Sequence, residues 1–137
     1  PVVIKDLIVI ETGGMKGRKK EITRNELHLK LNRGFGTKHI HSEYGMTELF
    51  SQAYSFKNGK FQNPPWMKTL IRNINNPLTV SNSGKGAINI IDLANEHSCA
   101  FIATDDIGEV FKNNSYTVSG RINETEIRGC NLMFNYN

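Results

Sequence analysis

The first third of the chain alternates between short apolar runs and one polar segment with helical spacing. Residues 8–10 are apolar and β-branched, which is typical of a buried strand. The segment that follows carries Thr23 and Glu26 at the spacing of a capping box, in which hydroxyl and carboxylate each accept a hydrogen bond from an amide that the first helical turn leaves unpaired. The pattern predicts a helix that begins at Thr23 and ends at Gly34 or Gly36.

Beyond this helix the pattern changes to that of β-structure. A strand is predicted at residues 38–42, and residues 49–56 lead into Asn58 and Gly59, a pair that favours a tight hairpin turn. Residues 73–86 are rich in Asn, Ser and Gly and predict a mobile loop. Further strands are predicted at 66–71, 87–93 and 100–104, and a second hairpin is predicted around Asn113 and Asn114.

These elements predict an α/β (α+β) fold in three parts. Residues 1–48 form a short β-α-β layer, residues 49–122 form a β-rich subdomain, and residues 123–137 form a short tail. With 137 residues, of which 38% are hydrophobic and 22% charged, the chain is long enough for one soluble globular domain with a core.

Composition also indicates where in the cell the protein is expected. No apolar run approaches the roughly 20 residues that a membrane-spanning helix needs, so a membrane partner is not predicted. Two cysteines are too few for a disulfide framework, which favours a cytoplasmic, reducing location. The chain begins at Pro1 without an initiator methionine or a signal-peptide pattern, so we expect a fragment or a trimmed start.

The basic balance of the chain raises the question of nucleic-acid binding. The formal net charge is +4, and the densest basic cluster spans residues 16–20. Aromatic residues do not interleave this cluster, so a platform on which bases stack is not predicted. We interpret the cluster as a solvated loop, and nucleic acid is not a predicted partner.

Five residues near the middle of the chain carry the strongest indication of function. They are Tyr44, Gly45, Met46, Thr47 and Glu48. An aromatic face, a glycine that lets the backbone come close, a hydroxyl and a carboxylate suit a nucleotide, because together they can contact a base, donate to a phosphate and bind Mg²⁺. The alternative interpretation is a strand end followed by a turn, with a half-buried tyrosine and a solvated carboxylate.

The pentapeptide resembles the Tyr-Gly-x-Thr-Glu signature of adenylate-forming enzymes, the superfamily of acyl-CoA synthetases, luciferases and peptide-synthetase adenylation domains. Three further blocks resemble segments of that superfamily in the same order. Residues 7–14 resemble a strand that ends in a Gly-Gly loop, residues 101–108 resemble its Tyr-Arg-Thr-Gly-Asp-Leu-Gly segment, and residues 119–123 resemble its Gly-Arg-x-Asp hinge. The resemblance covers nearly the whole chain, from Leu7 to Gly129.

This resemblance implies a site for ATP and Mg²⁺, in which a carboxylic acid attacks the α-phosphate and pyrophosphate leaves. Both reactants are anions, so the site must neutralise charge and fix their geometry. Taken one by one, Asp106 could instead belong to an ordinary turn and Arg121 could simply cover a strand. The resemblance implies that Tyr44 stacks on adenine opposite Gly13 and Gly14, and that Gly45 gives the backbone room. At the phosphates, Thr47 is implied to donate to the α-phosphate and Glu48 to hold Mg²⁺. At the ribose, Asp106 is implied to accept from the hydroxyls and Arg121 to hold ribose or phosphate.

The C-terminal residues narrow the resemblance to acyl-protein synthetases, the fatty-acid-activating subunits of the bacterial luminescence fatty acid reductase complex. Residues 126–133 are similar to the C-terminus of these proteins. The resemblance implies that a fatty acid substrate is activated as acyl-AMP, transferred to Cys130 and passed to an acyl-CoA-type or fatty acid reductase protein partner. The alternative for Cys130 is a small buried side chain, and Cys99 is predicted to lie in the core.

Departures from the superfamily pattern predict what these residues cannot do alone. The loop that grips the β- and γ-phosphates should precede the first block, and a lid with a catalytic lysine should follow the last, yet neither is present in this sequence. Asn123 stands where the hinge usually has Asp. We therefore expect little adenylation by this chain alone, weak AMP binding, and self-association through exposed apolar surface.

Two other functions stay open at this point. A CoA ligase of the phenylacetate type shares the adenylate blocks and would hand the acyl group to CoA instead of a cysteine. A non-enzymatic basic domain would bind nucleic acid or protein, and a steep loss of nucleic-acid binding with added salt would identify it.

Overall fold

The computed structural model describes residue 4, residues 6–13 and residues 22–122. This part of the chain folds into one helix and eight strands, which form a three-stranded and a five-stranded sheet. The predicted α/β (α+β) fold class is confirmed. In chain order the elements are β1 (Val9–Thr12), α1 (Arg24–Phe35), β2 (Ile40–Tyr44), β3 (Ala53–Ser55), β4 (Met67–Arg72), β5 (Val80–Ser81), β6 (Gly84–Asp92), β7 (Phe101–Val110) and β8 (Tyr116–Arg121).

The three-stranded sheet has the order β1-β2-β3 and contains the predicted β-α-β unit. β1 pairs with β2 in parallel, with Val9 opposite Ile40, and α1 connects the two strands. β3 pairs antiparallel with β2, with Ala53 opposite Tyr44. Because β3 comes from beyond residue 48 and still pairs with β2, the predicted boundary at that residue runs through a sheet. The division into domains stays a prediction.

The capping box predicted for α1 is present. Thr23 Oγ1 accepts a hydrogen bond from the Glu26 amide at 3.2 Å, and the Thr23 amide donates to Glu26 Oε2 at 2.9 Å. The helix ends at Gly36, whose φ of 67° is the left-handed conformation that glycine adopts without strain. None of its 12 residues is buried, and Leu27 and Leu31 are half-buried. Within the described residues, no helix has the length and apolar character that crossing a membrane requires.

The five-stranded sheet is antiparallel and has the order β5-β4-β6-β7-β8. Its strands alternate as a sheet with one buried face should: in β4, Met67, Thr69 and Ile71 are buried, and the residues between them are exposed or half-buried. The buried apolar face packs with residues from the segment after β2. The core cluster consists of Leu49, Ala53, Phe61, Met67, Ile71, Ile88, Ile90, Val110 and Tyr116.

Residues 61 and 62 link the two sheets. Gln62 forms an isolated bridge with Tyr54 of β3, and Phe61 forms one with Tyr116 of β8. Phe61 and Tyr116 are fully buried, and their ring centroids are 5.6 Å apart. This short segment therefore ties the first sheet to the β8 edge of the second.

Both predicted hairpin turns are confirmed. Asn58 and Gly59 have φ values of 58° and 63°, which is the geometry that an Asn-Gly hairpin turn requires. Asn114, with φ of 62°, lies in the turn between β7 and β8. The strand before the first turn is shorter than predicted, because β3 covers just Ala53–Ser55.

Three predictions are corrected by the structure. Residues 73–86, predicted as a loop, contain β5 and the start of β6, because β4 supplies hydrogen-bonding partners that outweigh weak strand propensity. β7 runs through Asp105 and Asp106, so the alternative of a turn at these residues is wrong. Cys99, predicted in the core, is exposed, since it lies in the connection before β7.

Gly108 lets β7 and β8 approach closely where their pairing is irregular. The register shifts between Ile107 and Gly108. A Cβ atom at Gly108 would lie 2.0 Å from the carbonyl oxygen of Thr117 and 2.8 Å from Ile88 Cδ1. A backbone oxygen in a paired strand cannot move aside, so this position of the predicted nucleotide-binding block requires glycine for packing.

We expect Gly108→Ala to lower the free energy of unfolding by about 2–3 kcal/mol, because the added methyl group must displace backbone. Urea unfolding followed by circular dichroism measures this change. Gly34→Ala is the control: Gly34 lies in α1 with open space around its Cβ position, so this change should stabilise the chain by about 0.5–1 kcal/mol. A Gly108→Ala variant as stable as the unmodified chain would contradict the close approach.

Candidate functional site

The carboxyl ends of β1 and β2 meet at one edge of the first sheet. Thr12 is the register partner of Glu43, so Gly13 and Tyr44 follow side by side at the ends of their strands. Gly13 is exposed and has φ of 74°, a conformation that favours glycine. Ligands of open α/β sheets bind outside the carboxyl ends of parallel strands, so this edge is where a site is expected.

Tyr44 reaches from the first sheet to the second. Its hydroxyl donates a hydrogen bond to Asp106 Oδ2 at 2.6 Å. Its ring is half-buried and contacts the rings of Phe61 and Tyr116, with centroids 5.8 Å away in both cases. Burial, followed by the hydrogen bond and the charge of Asp106, raises the pKa of Tyr44 above its ordinary value of 10.0. Tyr44 is therefore a neutral donor at physiological pH.

Asp106 lies between Tyr44 and Arg121. It is the register partner of Arg121 across β7 and β8, and Arg121 Nε is 3.4 Å from Asp106 Oδ1. The Asp106 amide donates to Thr104 Oγ1 at 3.1 Å, which fixes the backbone beside the carboxylate. The side chain of Asp106 is 16% exposed and that of Arg121 is 59% exposed. One carboxylate thus holds a phenol and a guanidinium, and the guanidinium remains open to solvent.

Thr47 and Glu48 lie in the turn that directly follows β2. The Leu49 amide donates to the carbonyl oxygen of Met46 at 3.1 Å and closes this turn. Both side chains are exposed, and within the described part of the chain neither forms a hydrogen bond or an ion pair. Gly45 is closely approached, because a Cβ atom there would lie 3.3 Å from Gln52 Cγ. The structure therefore leaves the hydroxyl and the carboxylate of the motif available to a ligand.

Glu48 fits the way proteins bind Mg²⁺ beside a nucleotide. Mg²⁺ is usually held by one or two carboxylates together with substrate phosphates and water, without an all-protein cage. Among the described residues, no group of three or more His, Cys, Asp or Glu side chains is arranged to hold a metal. A single exposed, unpartnered carboxylate agrees with the first arrangement, in which phosphate oxygens supply further ligands.

The structure brings some of the predicted site residues into direct contact and leaves others as chain neighbours of Tyr44. Tyr44, Asp106 and Arg121 are in direct contact, and Gly13 lies beside Tyr44 at the same sheet edge. Gly45, Thr47 and Glu48 follow Tyr44 in the chain. Gly14 and Cys130 lie outside the described residues. The binding and catalytic roles assigned to all of them stay predictions.

A charged cluster that was not predicted from the sequence links the elements of the β1-α1-β2 unit. Glu11 Oε1 lies 3.1 Å from Arg24 Nε and 3.5 Å from His28 Nε2, and His28 Nε2 is 3.1 Å from Ser42 Oγ. Serine and carboxylate both approach the same ring nitrogen, whereas a nucleophile relay needs them on opposite nitrogens. Ser42 is also fully buried. The cluster therefore joins α1 to both strands and is not a second catalytic site.

Two buried polar side chains after β6 were also missed. Asp92 is 0% exposed and Asn95 is 5% exposed, and both hydrogen-bond to the segment after the Tyr44 motif. In the sequence, the signal for this pair was an acidic residue and an amide residue that follow a predicted apolar strand. That pattern alone fits any solvated loop.

Comparison with known proteins supports the fold. No protein-family model matches the sequence, and no curated protein matches it at a significant level. Among solved structures, the chain is similar to apo MatB from Rhodopseudomonas palustris (13% identity, TM-score 0.58), to a luciferase-like enzyme from the nonluminescent mealworm Zophobas morio (20%, 0.57) and to coronafacic acid ligase from Pectobacterium brasiliense (20%, 0.59). These matches cover 84%, 82% and 88% of this chain, and 25%, 30% and 25% of the respective neighbours.

The neighbours are adenylate-forming enzymes, and at this identity the likeness shows the fold. The chain has the fold of part of an adenylate-forming-enzyme domain. The resemblance inferred from the four motif blocks agrees with this fold, and both the superfamily and the narrower resemblance to acyl-protein synthetases stay predictions. The chain spans less than a third of the length of these neighbours.

We expect the buried tyrosines to limit stability at high pH. Burial raises the pKa of Tyr116 as well as that of Tyr44, so both folded-state values lie above the unfolded value near 10. Their contribution is complete below pH 10 and is lost as the pH rises further, by up to about 1.4 kcal/mol per pH unit for each group. Urea unfolding between pH 8 and pH 12 measures this slope.

Tyr44→Phe should make the alkaline slope shallower, because a tyrosine whose pKa is raised by burial and by Asp106 is removed. Tyr54→Phe is the comparison: slight burial and the nearby Glu43 raise the pKa of Tyr54 as well, but its ring is half-exposed, so the slope should change less than in Tyr44→Phe. Equal slopes for Tyr44→Phe and the unmodified chain would show that the phenol is not protected by burial and Asp106.

Proposed function

We propose that this chain is part of an ATP-dependent, adenylate-forming ligase and that it supplies the adenosine-binding portion of the active site. The observation that carries the proposal is the contact of Tyr44, Asp106 and Arg121, at the carboxyl end of β2, in a chain with the fold of such an enzyme. The chemistry fits: Asp106 is an acceptor for ribose hydroxyls, and Arg121 is a solvent-exposed cation for ribose or phosphate.

In the proposed reaction a carboxylate oxygen of the acid attacks the α-phosphorus of ATP. The new P–O bond forms acyl-AMP, the bond to the β-phosphate oxygen breaks, and pyrophosphate leaves. Thr47 donates its hydroxyl proton in a hydrogen bond to the α-phosphate, and the half-buried ring of Tyr44 with Gly13 provides a surface for adenine. Mg²⁺, when held by Glu48 and the phosphates, supplies positive charge that offsets the charge developing at phosphorus.

The site geometry adds a detail to the role of Tyr44. Its hydroxyl donates to Asp106 and its ring packs against Phe61 and Tyr116, and these contacts together hold the side chain in place. The same hydrogen bond holds the carboxylate in place before a ribose arrives. Preorganisation of this kind lowers the entropic cost of binding.

We further propose that the parent enzyme is an acyl-protein synthetase that activates a long-chain fatty acid and passes the acyl group to Cys130. The resemblance of residues 126–133 supports this narrower assignment. The thiolate of Cys130 would attack the acyl carbon, AMP would leave, and the thiol proton would pass to solvent. A fatty acid reductase or acyl-CoA-type protein would receive the acyl group, and the cytoplasm is the proposed location.

The binding half of the proposal is tested with AMP, MgCl₂ and this chain by isothermal titration calorimetry. We expect weak binding that Asp106→Asn reduces by at least tenfold, because the charged acceptor for ribose and the partner of Arg121 are both lost. Glu109→Gln is the matched control: it also lies on β7, and its carboxylate forms an exposed ion pair with Lys85. No binding by the unmodified chain, or equal binding by both variants, would refute the assignment.

The transfer half is tested in the parent chain with radiolabelled fatty acid and ATP. We expect label that survives denaturation, is released by hydroxylamine and disappears in Cys130→Ser. Cys99→Ser is the control, since Cys99 is an exposed free thiol. Label that appears on added CoA and not on protein would favour the phenylacetate-type ligase, and label retained in Cys130→Ser would refute the role of this cysteine.

A further inference from the structure

The turn that carries Thr47 and Glu48 is held from outside by one amide side chain. Asn95 lies in the connection between β6 and β7 and is 5% exposed. Its Nδ2 donates to the carbonyl oxygen of Glu48 at 2.8 Å, and its Oδ1 accepts from the amide of Phe50 at 2.8 Å. A single side chain thus binds the backbone on both sides of Leu49.

The orientation of this amide is fixed by its partners. Nδ2 also donates to the carbonyl oxygen of Cys99 at 2.9 Å. The oxygens of Glu48 and Cys99 can only accept, and the amide of Phe50 can only donate, so rotating the Asn95 amide by half a turn would break all three hydrogen bonds. A buried amide is costly unless it is satisfied in this way. The backbone groups of Glu48, Phe50 and Cys99 therefore fix the orientation of the Asn95 amide.

Asp92 provides a second, neighbouring anchor. Its Oδ2 accepts from the Ser51 amide at 2.8 Å, and its Oδ1 accepts from Ser51 Oγ at 2.8 Å and from the Ala94 amide at 3.1 Å. Ser51 Oγ in turn accepts from Trp66 Nε1 at 2.8 Å. The backbone from Glu48 to Ser51 is thus bound at three points by two side chains, one at the end of β6 and one in the β6–β7 connection.

We propose that Asn95 is a positioning residue for Thr47 and Glu48, acting through the backbone of the turn. The side chains of Thr47 and Glu48 have no partner of their own in the described part of the chain, so the backbone alone sets where they point. Asn95 fixes that backbone relative to β7, the strand that carries Asp106. Asn95 therefore fixes the position of Thr47 and Glu48, the proposed phosphate and Mg²⁺ ligands, relative to Asp106, the proposed ribose ligand. The consequence for nucleotide binding depends on the proposed function, whereas the fixing of the turn does not.

The first measurement is independent of any ligand. Amide hydrogen exchange followed by mass spectrometry or NMR should show at least a tenfold loss of protection at Phe50 in Asn95→Ala, with the paired amides of β6 and β7 unchanged. Asn63→Ala is the matched control: the Asn63 amide donates to Thr69 of β4, and among the described residues it forms no hydrogen bond with the turn. Unchanged exchange at Phe50, or an equal loss throughout both sheets, would overturn the positioning role.

The second measurement separates the two ends of the site. Calorimetry with AMP plus MgCl₂ should show at least fivefold weaker binding by Asn95→Ala, while binding of adenosine, which lacks the phosphate, stays within twofold of the unmodified chain. Asn63→Ala should change neither. Equal weakening for AMP and adenosine would mean a general structural role and would overturn the proposal. If the unmodified chain binds neither ligand, the proposed function fails, and the exchange result still decides whether Asn95 fixes the turn.

Discussion

The candidate site depends on the interactions that the Asp106 carboxylate makes with Tyr44 and Arg121. It accepts a hydrogen bond from Tyr44 of the first sheet and lies beside Arg121 of the second, so one side chain joins two sheets that the chain builds separately. Hydrogen bonds to a charged acceptor contribute roughly 1.5–3 kcal/mol, more than neutral ones, because the acceptor carries a full negative charge. The aromatic rings of Tyr44, Phe61 and Tyr116 exclude water on one side of this contact.

Packing around Asp106 explains the presence of Thr104 and Gly108, two residues before and two residues after it in the chain. The close approach of β7 and β8 at Gly108 and the shift of register before it set where Asp106 faces Arg121. Thr104 donates to the carbonyl oxygen of Ile88 and accepts from the Asp106 amide, which gives partners to backbone groups at the irregularity in the β6–β7 pairing. Gly108 thus allows the close pairing of β7 and β8, whereas Asp106 contributes its carboxylate to the candidate site.

Large apolar side chains remain exposed on the β-α-β unit and near the β6–β7 connection. Ile8 is 61% and Leu29 59% exposed on the β-α-β unit, and Phe50 is 77% and Phe101 69% exposed near the β6–β7 connection. A domain of this size normally covers such groups, and their exposure agrees with a chain that spans less than a third of its structural neighbours. Self-association of this chain in solution stays a prediction.

The sequence by itself determined the local elements and the identity of the motif residues. The capping box at Thr23, the stop at Gly36 and the turn at Asn58 and Gly59 were predictable, because each depends on residues within a few positions of one another. Tertiary structure alone decided that β3 pairs with β2, that Asp106 lies in a strand against Tyr44, and that Asn95 binds the turn at the end of the motif. The hydrogen bonds of Asp106 to Tyr44 and of Asn95 to the turn join residues 45 to 62 positions apart, and the pairing of β3 depends on strand register. A local pattern carries no information on which distant donor will satisfy a given acceptor.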